Sequence, residues 1–178
     1  MERAVGGAQD MLARGMENLG DDELMMLVGQ YTRQIDIDIR QHMIGMRTRA
    51  NQSRNYNAAM QEVLRQVGIA TDRNNTPLNQ DADVRVINER GEEVTMKLGA
   101  LLRSVGVTLP VDTKLTGEVV EVIKSAINKE VEAIRAQSEQ GQLELQQIMS
   151  RRSQMLQITS NIFASRNESR KSIAQNIR

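Results

Sequence analysis

The chain has 178 residues with 23 basic and 23 acidic side chains, no cysteine and only three aromatic residues. This composition excludes disulfides, thiol catalysis and cysteine metal sites, and the balanced charge gives no whole-chain signal for nucleic-acid binding. Aromatic rings bury the most area per residue, so a compact core would have to depend on aliphatic side chains and 11 methionines. We therefore expect a chain that relies on helix-to-helix contacts, some of them from other molecules.

Residues 1–20 contain four glycines, which predicts a mobile leader. This leader lacks the continuous apolar segment of a signal peptide, and no segment of the chain is predicted to span a membrane. The absence of cysteine fits the cytosol and equally fits a protein exported unfolded. Export would use a route that needs no such signal.

The first long helix is predicted over residues 21–68. Three acidic residues after Gly20 suit a helix start, and Gly68 suits its end. Its apolar positions follow coiled-coil spacing, and we call this row the seam of the first helix. The stretch 35–39 alternates as a strand does, but its long helical context favours helix. The predicted seam comprises Leu24, Val28, Tyr31, Ile35, Ile39, Met43, Met46, Ala50, Ser53, Asn57, Met60, Leu64 and Val67.

A small insertion of mixed structure is predicted over residues 69–115. A loop containing Pro77 precedes two short β-branched runs, at 84–88 and 93–96, which predict a hairpin. The turn between them is expected at Arg90 and Gly91. A short helix follows over 97–105, with Gly106 at its C-terminal end.

The second long helix is predicted over residues 116–178, with Thr116 as its N-cap. Its seam is aliphatic as far as Ile134 and then includes polar residues. Gly141 costs about 1 kcal/mol relative to alanine inside a helix, so it marks a bend or a close approach of another helix.

The predicted fold class is mainly α: a long antiparallel, coiled-coil-like helical hairpin with a small α+β insertion. Each apolar stripe is wider than one neighbouring helix covers. Other copies of the chain are expected to cover the remainder.

Basic residues recur every seven positions at Arg40, Arg47 and Arg54, and heptad counting from Met43 places them beside the seam. Glu130 and Glu144 occupy the corresponding flanks of the last helix. The pattern predicts charge pairing between helices, which selects partners and orientation. A basic stripe also suits nucleic acid, but this one lacks stacking aromatics, so pairing or solvation is favoured.

No catalytic, metal-binding or small-molecule site is predicted. His42 is the only histidine, and it is interpreted as a polar residue flanking the seam. The run from Asp72 to Asp83 has the length of a calcium loop, but Pro77 stands where that loop needs glycine. Because no phosphate loop, nucleophile elbow or zinc-protease motif occurs, we expect neither an enzyme nor a cofactor.

The two long helices resemble those of the EspA-like type III secretion proteins. The residues that carry this resemblance are Gly141-Gln-Leu-Glu-Leu-Gln-Gln-Ile-Met149, the stretch 150–163 and the ending Ser172-Ile-Ala-Gln-Asn-Ile-Arg178. The first helix, 24–67, is similar to the family's N-terminal helix. About 100 residues are covered, and the insertion is not.

The resemblance implies a protein that is held by a small cytosolic chaperone and then secreted unfolded through a needle. At the cell surface it would polymerise into a tube that conducts effectors and translocators to a host cell. Its partners would be further copies of itself, the needle, translocators and the chaperone. The leader is short for the family, so a filament and a short tip cap both stay open. By analogy the assembly contacts would be Leu24, Val28, Tyr31, Ile35, Met155, Ile158, Ile162, Phe163, Ile173 and Ile177.

An intracellular chaperone or regulator that clamps a partner helix fits the same helical pattern. Such a protein would also need no export signal. Detection in culture supernatant separates the two hypotheses.

Overall fold

The computed structural model describes residues 19–176. Its elements are α1 (Asp21–Ile69), β1 (Asp83–Ile87), β2 (Glu93–Lys97), α2 (Leu98–Ser104) and α3 (Gly117–Asn176). The predicted fold class, mainly α with a small insertion that contains a two-stranded antiparallel sheet, is confirmed. The predicted leader, apart from its last two residues, and Ile177 lie outside the described residues.

Both long helices start at the local signals that the sequence contains. The Gly20 N–H donates to the Glu23 carboxylate at 2.9 Å at the start of α1. The Thr116 hydroxyl accepts the Val119 N–H at 3.4 Å, as expected of an N-cap, at the start of α3. Each contact satisfies a backbone donor that has no partner inside the helix. The strand-like stretch 35–39 is helical, as predicted.

The chain divides into two compact units: Met43–Gln142 is one, and the second consists of the helix ends up to His42 and from Leu143 onward. We call the first the insertion unit and the second the arm unit. The insertion unit has its own core, to which α1, the hairpin, α2 and α3 all contribute. The buried residues of this core are Ala59, Val63, Leu78, Val84, Val86, Leu98, Leu101, Leu102, Val105, Val107, Leu115, Ile123 and Ile127.

The hairpin has the register Val84↔Met96, Arg85↔Thr95 and Val86↔Val94. Its turn is closed by the Gly91 N–H, which donates to the Asn88 carbonyl at 2.9 Å. Gly91 has a φ of 85°, in the left-handed region where glycine carries no penalty. This combination of a type I turn and a left-handed glycine is a common three-residue hairpin connection.

Helix α2 ends with a Schellman motif. Gly106, with φ 79°, donates its N–H to the Arg103 carbonyl at 3.0 Å, and the Val107 N–H reaches the Leu102 carbonyl at 2.9 Å. These two bonds pair carbonyls that the end of the helix leaves free. The predicted role of Gly106 is confirmed.

Two side-chain amides of α1 each make a pair of hydrogen bonds to the backbone of the insertion. Asn55 accepts the Ile87 N–H at 2.7 Å and donates to the Ile87 carbonyl at 2.9 Å. Three helical turns further on, Gln66 accepts the Asn79 N–H at 2.8 Å and donates to the Asn79 carbonyl at 3.1 Å. Both amides pair backbone groups that the hairpin and loop cannot pair themselves, so they fix where the insertion lies on the helix.

Gly141 lies where α1 and α3 approach closely inside the insertion unit. A Cβ atom added there would lie 2.9 Å from Nη1 of Arg49. The same nitrogen donates to the Gln137 carbonyl at 3.0 Å. Of the two predicted explanations for this glycine, the structure supports the close approach.

Within residues 19–176, no helix combines the length and apolar character that crossing a membrane requires.

Candidate assembly surface

In the arm unit, α1 and α3 pack against each other through a small apolar cluster. Leu24, Met155 and Ile162 are buried in it. Val28, Ile158 and Phe163 are among the half-buried residues that pack against them. The cluster stabilises the helix pair by removing apolar surface from water.

The seam of α1 runs through Leu24, Ile35 and His42, and the predicted seam residue Met43 is 58% exposed. Met43 is exposed because the predicted spacing loses the phase of the helix. Each four-residue step turns about 400° at 3.6 residues per turn, so three such steps from Tyr31 drift about 120° round the helix. The predicted seam is therefore wrong at Met43. In the structure the seam continues at His42.

Acidic residues of α1 pair with arginines of α3 along the arm unit. Asp21 accepts from Arg166 at 2.7 Å and also from Arg170, and Asp36 lies 3.3 Å from Nη2 of Arg152. The hydrogen bond from Arg166, followed by that from Arg170, holds the pKa of the Asp21 carboxyl below its usual value. These pairs fix the antiparallel register of the two helix ends.

His42 bridges α1 and α3. Its Nδ1 lies 3.0 Å from the Asp38 carbonyl and its Nε2 lies 3.1 Å from the Glu144 carboxylate. Both neighbours accept hydrogen bonds, so the imidazolium form can donate to each of them. The hydrogen bond to the Asp38 carbonyl, followed by that to Glu144, raises the pKa of His42 above its usual value.

The residues of the predicted charge pairing do not pair with one another within the described chain, and pairing with another copy stays a prediction. Of the ion pairs between residues 19 and 176, none involves Arg40, Arg47, Arg54 or Glu130, and Glu144 pairs with His42. All three arginines are exposed. In the insertion unit, Nη2 of Arg47 donates to the Arg90 carbonyl in the hairpin turn at 3.5 Å.

The predicted assembly residues fall into different environments. Leu24, Ile35, Met155 and Ile162 are buried within the single chain and are not available to a neighbouring copy in this conformation. Val28, Ile158 and Phe163 are half-buried. Tyr31 is 38% exposed and Ile173 is 59% exposed. Ile177 lies outside the described residues. The prediction that these residues contact another copy therefore applies at most to the exposed members.

A second apolar row lies on α3 beside its seam. Met149, Leu156 and Phe163 follow one another at intervals of seven, each one position after a seam residue. Met149 is 56% exposed and Leu156 is 47% exposed. We call these three residues the outer row. Of the three, the sequence-based prediction names Phe163 alone, although the seven-residue spacing of Met149 and Leu156 is visible in the sequence.

The acidic loop after α1 folds as a turn. The Asp72 carboxylate accepts the Asn74 N–H at 3.0 Å and the Asn75 side-chain amide at 2.7 Å. Its oxygens are thus used to close the turn, in the manner of an Asx turn. The part of the chain described here contains no group of three or more potential metal ligands.

Comparisons of the chain with protein-family models, with curated proteins and with solved structures gave no match. The resemblance to the EspA-like proteins stays a prediction.

Proposed function

We propose that this protein is a structural subunit that assembles with copies of itself through the helices of its arm unit. The observation that carries the proposal is the outer row, in which Met149 and Leu156 are exposed and continue the apolar surface of α3 beyond what α1 covers. Met149 to Phe163 spans fourteen residues, or about 21 Å of helix at 1.5 Å per residue. That length suits packing against one further helix.

The chemistry around the outer row favours a helix of the same kind as partner. Between residues 145 and 165 the only charged side chains are Arg151 and Arg152, and the remaining polar residues are Gln, Ser, Thr and Asn. Few charges would lose water when a neighbour packs there, which keeps the cost of burial low. Apolar rows beside a two-helix seam are typical of helices that take part in larger bundles.

The resemblance of both long helices to the EspA-like family gives this assembly its proposed form. The subunit would belong to an extracellular type III secretion filament or needle-tip extension, and the assembled tube would conduct exported effectors and translocators. A cytosolic chaperone would cover the outer row before export. The needle and translocators would be its partners at the cell surface.

The test of assembly is a matched pair of variants on α3. Leu156→Asp puts a charge on the outer row and should abolish polymers seen by electron microscopy and light scattering, since the carboxylate would be buried between subunits. Gln157→Asp places the same charge on an exposed neighbouring position and should assemble normally. Equal assembly of both variants would remove the outer row from the interface.

Phe163→Asp is a poorer test than Leu156→Asp. Phe163 packs against the Leu24 cluster, so a charge there also weakens the helix pair of the single chain. Loss of polymers in that variant would have two explanations, whereas Leu156 is half exposed in the single chain.

The same outer row also fits an intracellular chaperone that clamps a foreign helix. The two functions differ in where the protein is found and in what it binds. A secretion subunit appears in culture supernatant only when the secretion apparatus is intact, and it polymerises when purified. A protein that is retained in cells and stays monomeric at high concentration would contradict the proposal.

A further inference from the structure

The hairpin leaves one edge of its sheet unpaired within residues 19–176. β1 has β2 on one side and the Asn55 amide on the other, whereas β2 pairs only with β1. All five residues of β2 are exposed. An open strand edge is a template on which another extended strand can add.

The direction of the free backbone groups follows from the Asn55 contact. Ile87 gives both its N–H and its carbonyl to Asn55, so these groups point away from β2. Hydrogen-bonded and non-hydrogen-bonded pairs alternate along an antiparallel ladder. The backbone groups of Glu93, which is opposite Ile87, and of Thr95, two residues later, therefore point to the open side.

The sequence of β2, Glu93-Val-Thr-Met-Lys97, is complementary to itself when read in the opposite direction. In an antiparallel pair centred on Thr95, each Glu93 lies opposite Lys97 of the second copy and each Val94 lies opposite Met96. A strand edge that repels its own kind carries like charges at facing positions. Here the facing charges are opposite at both ends.

The charges already present in the hairpin extend this pattern. Lys97 contacts Asp83 at 2.7 Å, and Glu93 lies 3.8 Å from Arg85. Pairing of two copies would continue these contacts into an alternating row of acid, base, acid and base across the four strands of the combined sheet. On the other face, pairing would cover Val94, which is 36% exposed, and Met96, which is 39% exposed.

We propose that β2 pairs antiparallel with β2 of a second copy, about a two-fold axis at Thr95, to form a four-stranded sheet. Two five-residue strands bury far less than the roughly 1,200 Å² of a stable specific interface. The pairing is therefore weak in dilute solution and forms when copies are concentrated. It uses a different surface from the outer row and does not depend on the proposed secretion function.

The absence of cysteine allows a direct test. Thr95→Cys places the chain's single thiol at the two-fold axis, where directly opposite α-carbons are about 5.5 Å apart. A short bis-maleimide should crosslink concentrated Thr95→Cys protein into dimers. Thr71→Cys, on an exposed loop of the same unit, is the control for random collision and should crosslink much less.

Charge variants show whether the crosslink reports the proposed register. Adding Glu93→Lys to Thr95→Cys makes both facing pairs repulsive and should lower the dimer yield roughly fivefold or more, since about 1 kcal/mol corresponds to that factor. Lys97→Glu, added to Thr95→Cys in place of Glu93→Lys, should lower the dimer yield in the same way. Mixing the two charge variants restores opposite charges at both ends and should restore crosslinking between unlike chains.

Three results would overturn the inference. One is equal crosslinking at positions 95 and 71, and another is a yield that does not respond to Glu93→Lys. The third is a position-95 thiol that a monofunctional maleimide cannot label, because some other segment would then cover the edge. The double variant Leu156→Asp and Thr95→Cys should still crosslink through position 95. Failure of the filament proposal and failure of this inference are therefore distinguishable.

Discussion

The amide of Asn55 should be one of the most important polar side chains for the stability of the insertion unit. It makes two hydrogen bonds to the backbone of Ile87, at 2.7 and 2.9 Å. Asn55→Ala removes both bonds and leaves the N–H and the carbonyl of a half-buried strand residue without a protein partner. Asn57→Ala is the matched control, because Asn57 is exposed on the same helix and gains the same helix propensity on substitution.

The size of the effect follows from the two bonds. Each typical hydrogen bond contributes about 0.5–1.5 kcal/mol net, and a buried group left unpaired costs about 1–3 kcal/mol. Water can reach part of Ile87, so the lower half of the combined range applies. We expect Asn55→Ala to lower the free energy of unfolding by about 1–3 kcal/mol more than Asn57→Ala does. Asn55→Asp should restore only part of the loss, since a carboxylate accepts the Ile87 N–H but cannot donate to the Ile87 carbonyl.

Urea denaturation followed by far-UV circular dichroism gives the global comparison, and hydrogen exchange gives the local one. The Ile87 amide should exchange roughly fivefold faster or more in Asn55→Ala, because about 1 kcal/mol, the lower end of the expected loss, corresponds to that factor. Amides in the arm unit report whether the loss is confined to the insertion unit. Unchanged protection at Ile87, together with equal stability of the two alanine variants, would refute the reasoning.

Two further predictions concern contacts between the long helices. The raised pKa of His42 means that its contribution to stability is complete below about pH 6.5, the pKa of an unfolded-state histidine, and is lost as the pH rises through the folded-state pKa. An NMR titration should give a midpoint above 6.5 in the wild type and a lower midpoint in Glu144→Gln. A wild-type midpoint below 6.5 would contradict this. Gly141→Ala gains about 1 kcal/mol of helix propensity but displaces the Arg49 guanidinium. It should therefore stabilise the chain clearly only when Arg49 is also replaced by alanine. Thermal unfolding of the wild type, Gly141→Ala, Arg49→Ala and the double variant would test this.

The sequence predicted the elements well because their signals are local. The glycines at 91 and 106 occupy the two left-handed positions, and Thr116 starts the last helix, each for a reason that depends on only a few neighbouring residues. The predicted helix bounds 21–68 and 116–178 compare with Asp21–Ile69 and Gly117–Asn176 in the structure.

The errors arose where the outcome depends on phase over many turns. A drift of about 40° per four-residue step is small at one step and decisive after three, which moves Met43 off the seam. After Ala50 the predicted seam contains Ser53 and Asn57, and the prediction gives Asn55 and Gln66 no role. In the structure Asn55 and Gln66 hold the insertion, and no local pattern predicts that a loop 13 to 32 residues away will need their amides.

The arrangement of α3 in the arm unit explains how one helix can both stabilise the single chain and remain available for assembly. A seam with period seven is satisfied by one antiparallel partner, and α1 covers Met155 and Ile162 in that way. A second row with the same period, displaced by one residue, points about 100° away, and of its three members Phe163 alone packs against the Leu24 cluster. Met149 and Leu156 therefore add little to the folding of one chain, and substitution of Leu156 should change assembly far more than it changes stability. A variant that lost stability and assembly to the same degree would show that the two rows form a single core.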